Sequence, residues 1–173
     1  RAAERVRDGF EIAIVGKPNV GKSTLLNHLA GRTAAITSDI PGTTRDVIEV
    51  RMEIGGYAVI LSDTAGVRDA EDQIEQLGVD LALDRARQSD LNILLVSEDD
   101  RLNIVVRPQD IAVHAKADIV EVPGLSVSGK TGKGIPQLIV LIEERLNGLV
   151  AGAGLAIRER HRVAMIKAEE ALI

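Results

Sequence analysis

Cysteine and tryptophan are absent from the 173 residues, and the aromatic side chains amount to one Phe and one Tyr. Without cysteine there are no disulfides, no thiolate nucleophiles and no Cys-based zinc sites. With so few aromatics, the 45% apolar content is almost wholly Ala, Val, Ile and Leu, a composition suited to parallel strands covered by helices. No apolar run reaches the roughly 18 residues of a membrane span, and no secretory leader pattern is present. A soluble, cytoplasmic protein with no membrane association is expected. Long Lys/Arg blocks are also missing and the net charge is −5, so the chain is a poor nucleic-acid binder by itself. Internal repeats and low-complexity tracts are absent too. The length fits one domain with a sizeable core.

What is present is organised around Glu11–Leu26. Ile12, Ala13, Ile14 and Val15 read as a short buried strand. Gly16-Lys17-Pro18-Asn19-Val20-Gly21-Lys22-Ser23 follows and matches G-x-x-x-x-G-K-[ST] without deviation, and Thr24-Leu25-Leu26 opens a helix. Strand, loop and helix are the context a phosphate-binding loop requires. Consecutive backbone N–H groups turn inward around a polyphosphate, and the helix N-terminus adds partial positive charge. Asn19, Val20, Gly21, Lys22, Ser23 and Thr24 are the candidate contacts. Lys22 is placed for the β/γ oxygens and the Ser23 hydroxyl for Mg²⁺.

Arg1 to Asp8 is a charged, helix-compatible lead-in. Gly31 to Asp46 is long and irregular. Ile48 to Ile54 alternates apolar and charged residues, a half-buried strand at period two. Gly55-Gly56 signals a hairpin turn, and Tyr57 to Leu61 returns as a more buried strand. Val79 to Gln88 reads as a helix, Leu91 to Val96 and Ile111 to Val113 as strands, and Leu125 to Ser128 as a last short strand. Ile135, Leu138, Ile139, Ile142 and Leu146 form a helical stripe. The small-residue stretch from Leu149 to Gly154 reads as a linker, and a separate helix is expected from Ile157. The fold class expected is α/β, a doubly wound, mostly parallel sheet with one antiparallel edge hairpin.

A phosphate loop alone does not choose between GTP and ATP. Asp63 ends a strand, where it is placed to hold Mg²⁺ through water. Gly66 brings an N–H to the γ-phosphate without steric cost. Thr43-Thr44 lies in the loop that must fold over the γ-phosphate, and one of the two hydroxyls completes the Mg²⁺ shell.

Taken together, GKPNVGKS, GTTRD, DTAG, AKAD and SGKTG resemble the elements of translation-factor-class GTPases, with the Ras-like P-loop fold. More narrowly, DIPGTTRD with DTAGVRDAEDQIEQLG resembles the tRNA-modifying GTPase family MnmE (TrmE), and RERHRVAMIKAEEAL resembles the helix by which that family re-enters its helical domain. The resemblance implies that residues 1–9 end a preceding helical element, 10–148 form the GTP-binding domain, 149–156 link, and 157–173 begin a C-terminal helical-domain helix. It implies GTP/GDP, Mg²⁺ and K⁺ as ligands. Asn19 and the carbonyls around Ser38 and Ile40 would hold the K⁺, and Thr44 would ligate Mg²⁺ and the γ-phosphate. Glu75 would help orient the attacking water through another water; Val67 stands where Ras-like enzymes keep a Gln, so that water must be positioned otherwise.

At the base the family has Asn-Lys-x-Asp, and this chain has Ala115-Lys116-Ala117-Asp118. Asp118 would accept from guanine N1 and N2, Lys116 would lay its stem over the base, and the Ser128-Gly129-Lys130 turn would offer a backbone N–H to O6. The bracing Asn amide is lost, worth roughly 1 kcal/mol, so weaker guanine affinity is expected without a change of base. The chain is also shorter than the family between Val96 and Ile111 and between Asp118 and Ser128. The family implies a self-dimer through the GTP-binding domains, a flavoprotein partner of the GidA/MnmG type, and tRNA engaged through the full-length protein only. Ribosome-assembly GTPases of the Der/EngA type share GTTRD, and a nucleotide-gated dimerisation module with little turnover is a third reading.

Overall fold

A computed structural model describes residues 5, 7–32, 49–63, 83–96, 105–119 and 122–170, with 153 and 155–170 described by their backbone path. Five strands, β1 (Phe10–Val15), β2 (Glu49–Ile54), β3 (Tyr57–Asp63), β4 (Leu91–Val96) and β5 (Ile111–His114), form one sheet in the order β2-β3-β1-β4-β5. The pairs β1–β3, β1–β4 and β4–β5 are parallel, and β2 runs antiparallel to β3 at the edge. The expected mixed sheet with a single antiparallel pair is thus what the chain forms.

The edge pair follows from its turn. Gly55 and Gly56 sit at φ 59° and 82°, the left-handed pair that a tight two-residue hairpin demands and that side chains with a Cβ resist. Along β2, Met52 and Ile54 are buried while Arg51 and Glu53 are exposed, so period two decides which face meets the core.

Central β1 is buried on both faces. Phe10, Ile12 and Ile14 join the main core with Leu25, Leu26 and Leu29 of helix α1 (Lys22–Arg32). The same core takes Ile135, Leu138, Ile142 and Leu146 of helix α2 (Ile135–Glu170), none of which retains solvent exposure. On the opposite face Ala13 and Val15 pack with Leu94 and with Ala86 from the helical residues 83–88. Helices on both faces of a largely parallel sheet leave the carboxyl ends of β1, β3, β4 and β5 as the place where loops converge.

Two elements differ from the sequence reading. The segment Leu125 to Ser128 makes only an isolated bridge, Ser126 with His114. It is held by His114 N–H to Leu125 O at 2.9 Å, Val127 N–H to His114 O at 2.8 Å and Ala117 N–H to Val127 O at 3.1 Å. The linker expected at 149–156 is helical instead, and α2 runs unbroken for 36 residues. Gly148, Gly152 and Gly154 each cost helix about 1 kcal/mol against Ala, but no proline interrupts them and Leu149, Val150 and Ala151 between them are helix-compatible.

α2 is tied to the hairpin by side chains. The Tyr57 hydroxyl donates to Asn147 Oδ1 at 2.7 Å, and the Glu143 side chain lies over Gly55, where an added Cβ would meet it at 2.5 Å. Tyr57 also meets Phe10 edge-on, ring centroids 5.6 Å apart.

Candidate functional site

The loop 16–21 leaves the carboxyl end of β1 and enters α1. Asn19 stands at φ 59° and Gly21 at φ 113°, two left-handed residues that curl the chain. The Leu25 N–H already bonds Gly21 O at 2.9 Å, so the helix starts at once. Lys22 is 5% exposed, and its Nζ donates to Gly16 O at 2.8 Å and Lys17 O at 2.7 Å. Burial pushes its ammonium below the ordinary lysine value, partly offset by the negative charge of Asp63. An anion arriving in the loop would restore what burial removes.

Beside it, the Ser23 hydroxyl donates to Asp63 Oδ2 at 2.5 Å. Asp63 is 1% exposed at the last position of β3. A hydroxyl and a carboxylate converging beside a phosphate loop are hard oxygen donors, the set that Mg²⁺ takes in company with phosphates. The residues therefore fit the ion.

From the same loop a cavity of about 300 Å³ extends to the carboxyl ends of β4 and β5. Asn19, Val20, Gly21 and Thr24 form one side, and Ala115, Lys116, Asp118 and Ile119 another. Ser128, Gly129 and Lys130 close it, over apolar Leu25, Leu95 and Val127. Lys116 is held at φ 61°, a conformation costing a residue with a Cβ about 1 kcal/mol or more, as site residues often do. The Ser128 hydroxyl hydrogen-bonds the Asp118 carboxylate and holds it below the ordinary carboxyl value. Asp118's own backbone and the charges of Lys130 and Lys116 act in the same direction against slight desolvation.

The Ser128–Gly132 turn packs directly on α1. A Cβ on Gly129 would lie 2.7 Å from the backbone at Thr24 and Leu25, so glycine permits the approach. His28 Nδ1 lies 2.9 Å from Gly129 O.

Thus Asn19, Val20, Gly21, Lys22, Ser23, Thr24, Asp63, Lys116, Asp118, Ser128, Gly129 and Lys130 lie around one continuous loop-and-cavity system. Ser38, Ile40, Thr43, Thr44, Gly66 and Glu75 lie outside the described residues. Sequence reasoning missed Leu95, Ile119 and Val127. In the sequence Leu95 and Val127 read as buried strand only, although the carboxyl end of a parallel strand is where ligands sit. Among the described residues no cluster of three or more His, Cys, Asp or Glu forms a metal site, and no helix is long and apolar enough to cross a membrane.

Residues 11–123 match the family described as 50S ribosome-binding GTPase. The chain belongs to this GTPase family. It is accordingly a GTP-hydrolysing enzyme whose ligand is a guanine nucleotide. The GTPase is 55% identical over 169 residues to a tRNA modification GTPase MnmE of Cereibacter sphaeroides, covering 97% of this chain and 40% of that protein. It is 53% identical over 170 residues to the MnmE of Roseobacter denitrificans, with 98% and 40% covered. The chain therefore spans about two fifths of the length of these curated relatives. Its fold is similar to that of Aquifex aeolicus Era bound to GDP·AlF₄⁻, with TM-score 0.57 and 24% identity over 79% of this chain and 56% of that one. Elongation factor SelB of Methanococcus maripaludis, in complex with GPPNHP, gives TM-score 0.57 and 19% identity, with 80% and 34% covered. The expected family and fold class are both met.

Proposed function

We propose that this GTPase is the nucleotide-hydrolysing part of a tRNA wobble-uridine modification enzyme. The reading is supported by the 50–55% identity to relatives named tRNA modification GTPase MnmE. The cavity joining the phosphate loop to Asp118 and Ser128 gives it a chemical basis.

In this reading Lys22 leaves its two carbonyl partners for the β/γ oxygens, and the loop N–H groups hold the phosphates still. Mg²⁺, when bound, neutralises charge on the phosphate oxygens; Ser23, Asp63 and a hydroxyl of Thr43-Thr44 would hold it. Thr44 and Gly66 contact the γ-phosphate and Glu75 orients the water. Asp118 takes guanine N1 and N2, Lys116 covers the ring, and the Ser128–Lys130 turn meets O6. Asn19 with the Ser38 and Ile40 carbonyls forms an oxygen cage for K⁺, and two copies meeting across their nucleotide faces keep it closed. The whole protein then works on tRNA with a flavoprotein partner of the GidA/MnmG type.

The deciding experiment is a chimera. The matching two fifths of an MnmE relative is replaced by this chain, in cells lacking their own enzyme. Restored wobble-uridine modification is expected; GTP hydrolysis without modification would overturn the reading. The cation arm is tested separately: hydrolysis is faster in KCl than in NaCl at equal ionic strength, and Asn19→Ala erases the difference. Equal rates in the two salts would remove K⁺ from the mechanism.

A further inference from the structure

His28 projects from α1 onto the turn that closes the base end of the cavity. Its Nδ1 is 2.9 Å from Gly129 O, and since a carbonyl can only accept, Nδ1 carries the proton and donates. The ring also spans the turn: a Cβ on Gly132 would meet His28 Cε1 and Nε2 at 2.9 Å. The turn is well tied within itself. Gly132 N–H bonds Ser128 O at 2.8 Å, Thr131 N–H bonds Ser128 Oγ at 3.2 Å, and Ser128 N–H bonds Lys133 O at 2.9 Å. Those bonds fix its shape. Ala117 N–H to Val127 O at 3.1 Å ties its start to the 115–118 loop. On α1 it is seated by the close approach of Gly129 to Thr24 and Leu25 and by the His28 hydrogen bond. Across the cavity Ala115 carries no polar side-chain atom with which to set it.

The peptide plane makes the orientation matter. C=O of Gly129 and N–H of Lys130 belong to one rigid trans unit and point in opposite directions. Drawing Gly129 O onto His28 therefore fixes the plane of the 129–130 peptide, and both of its residues line the cavity.

We propose that His28 is a positioning residue for guanine recognition, holding the 129–130 peptide so that its N–H meets O6 of the base. The proposal rests on the reading of Asp118 and the Ser128–Lys130 turn as the base site. His28 supplies, from the helix of the phosphate loop, the brace that Ala115 does not.

Two substitutions separate the hydrogen bond from packing. His28→Phe keeps a ring against Gly132 and removes the donor, whereas His28→Asn places an amide N–H near the position of Nδ1. Dissociation constants for GDP, IDP and ADP are measured for each by calorimetry, with GTP turnover alongside. His28→Phe is expected to weaken GDP and IDP in parallel, roughly five- to tenfold, because both bases carry O6. ADP binding stays as in the unsubstituted protein, KM for GTP rises with kcat unchanged, and His28→Asn recovers GDP affinity to within about twofold. Unchanged GDP affinity in His28→Phe overturns the proposal. An equal loss in His28→Asn does so too, since it would assign the effect to ring packing, as does a parallel loss of ADP. Asp118→Asn serves as the control on the base site: a shift from GDP towards XDP supports that reading whatever His28 does, and no shift removes both.

Discussion

Arg107 meets Asp110 along its guanidinium edge, Nη2 to Oδ1 at 2.9 Å and Nε to Oδ1 at 3.2 Å, and the Asp110 side chain has no solvent exposure. The carboxylate also accepts from the backbone N–H groups of Arg107 and Asn92, both at 2.9 Å. Arg107 Nη1 reaches Ser89 O at 2.7 Å. This clasp joins the amino ends of β4 and β5, away from the nucleotide cavity. Asp110→Ala would leave Arg107 without its partner, and losses from breaking such pairs are about 3–5 kcal/mol. Urea unfolding should show a loss of that order, while GDP affinity of the folded variant is unchanged.

The same carboxylate predicts a pH dependence. Burial alone would raise the Asp110 carboxyl, but the side-chain and backbone hydrogen bonds from Arg107, the backbone N–H of Asn92 and the Arg107 charge outweigh it. They hold the group below its ordinary value of 3.8. A depressed carboxyl contributes stability that is complete above the ordinary value and lost as pH falls through the folded one. Urea midpoints measured from pH 5 downward should fall below pH 3.8 in the unsubstituted protein, and fall less in Asp110→Asn.

Asp63→Asn should separate nucleotide binding from turnover. It keeps the shape beside Ser23 and removes the charge that favours Mg²⁺. GTP hydrolysis is expected to drop on the order of 10²–10³-fold, with magnesium half-saturation moved to higher concentration and GDP binding retained. Normal turnover would take Asp63 out of the metal role.

Lys22→Ala should abolish triphosphate binding. Nζ sits between Gly16 O and Lys17 O, and Lys22 is the one lysine that both belongs to the phosphate loop and is buried among the described residues. Calorimetry with GTP should show no binding in the range where the unsubstituted protein saturates; wild-type affinity would refute the loop assignment.

How much of this was readable beforehand depended on range. The phosphate loop, the Gly55-Gly56 turn and the Ile135–Leu146 stripe are local patterns, and each appears as the spacing implies. At 149–156 glycine spacing suggests a break, whereas the alanines, leucines and valines around it carry the helix through. Leu125–Ser128 has strand-like residues but meets β5 over a single bridge. His28 was invisible to pattern reading: its partner, Gly129, lies 101 residues away. The clasp of Arg107 and Asp110 was missed because an i, i+3 pair in a loop has no periodic signature, and its value comes from burial against Asn92. The expectations for Ser38, Thr44, Gly66 and Glu75 fall outside the described residues.

The Tyr57–Asn147 bond pins α2 to the start of β3 at the point where its buried stripe has ended. Tyr57 opens the strand that Asp63 ends, so the fulcrum and the metal-facing carboxylate share β3. Beyond Asn147 the helix continues through Glu170, an arm of ~34 Å at 1.5 Å per residue. A tilt of about 5° at the fulcrum would carry the far end by ~3 Å. Any tilt about that point grows along the unbroken helix to the size of a side-chain repacking event, and substituting Asn147 removes the bond that ties the helix to the start of β3.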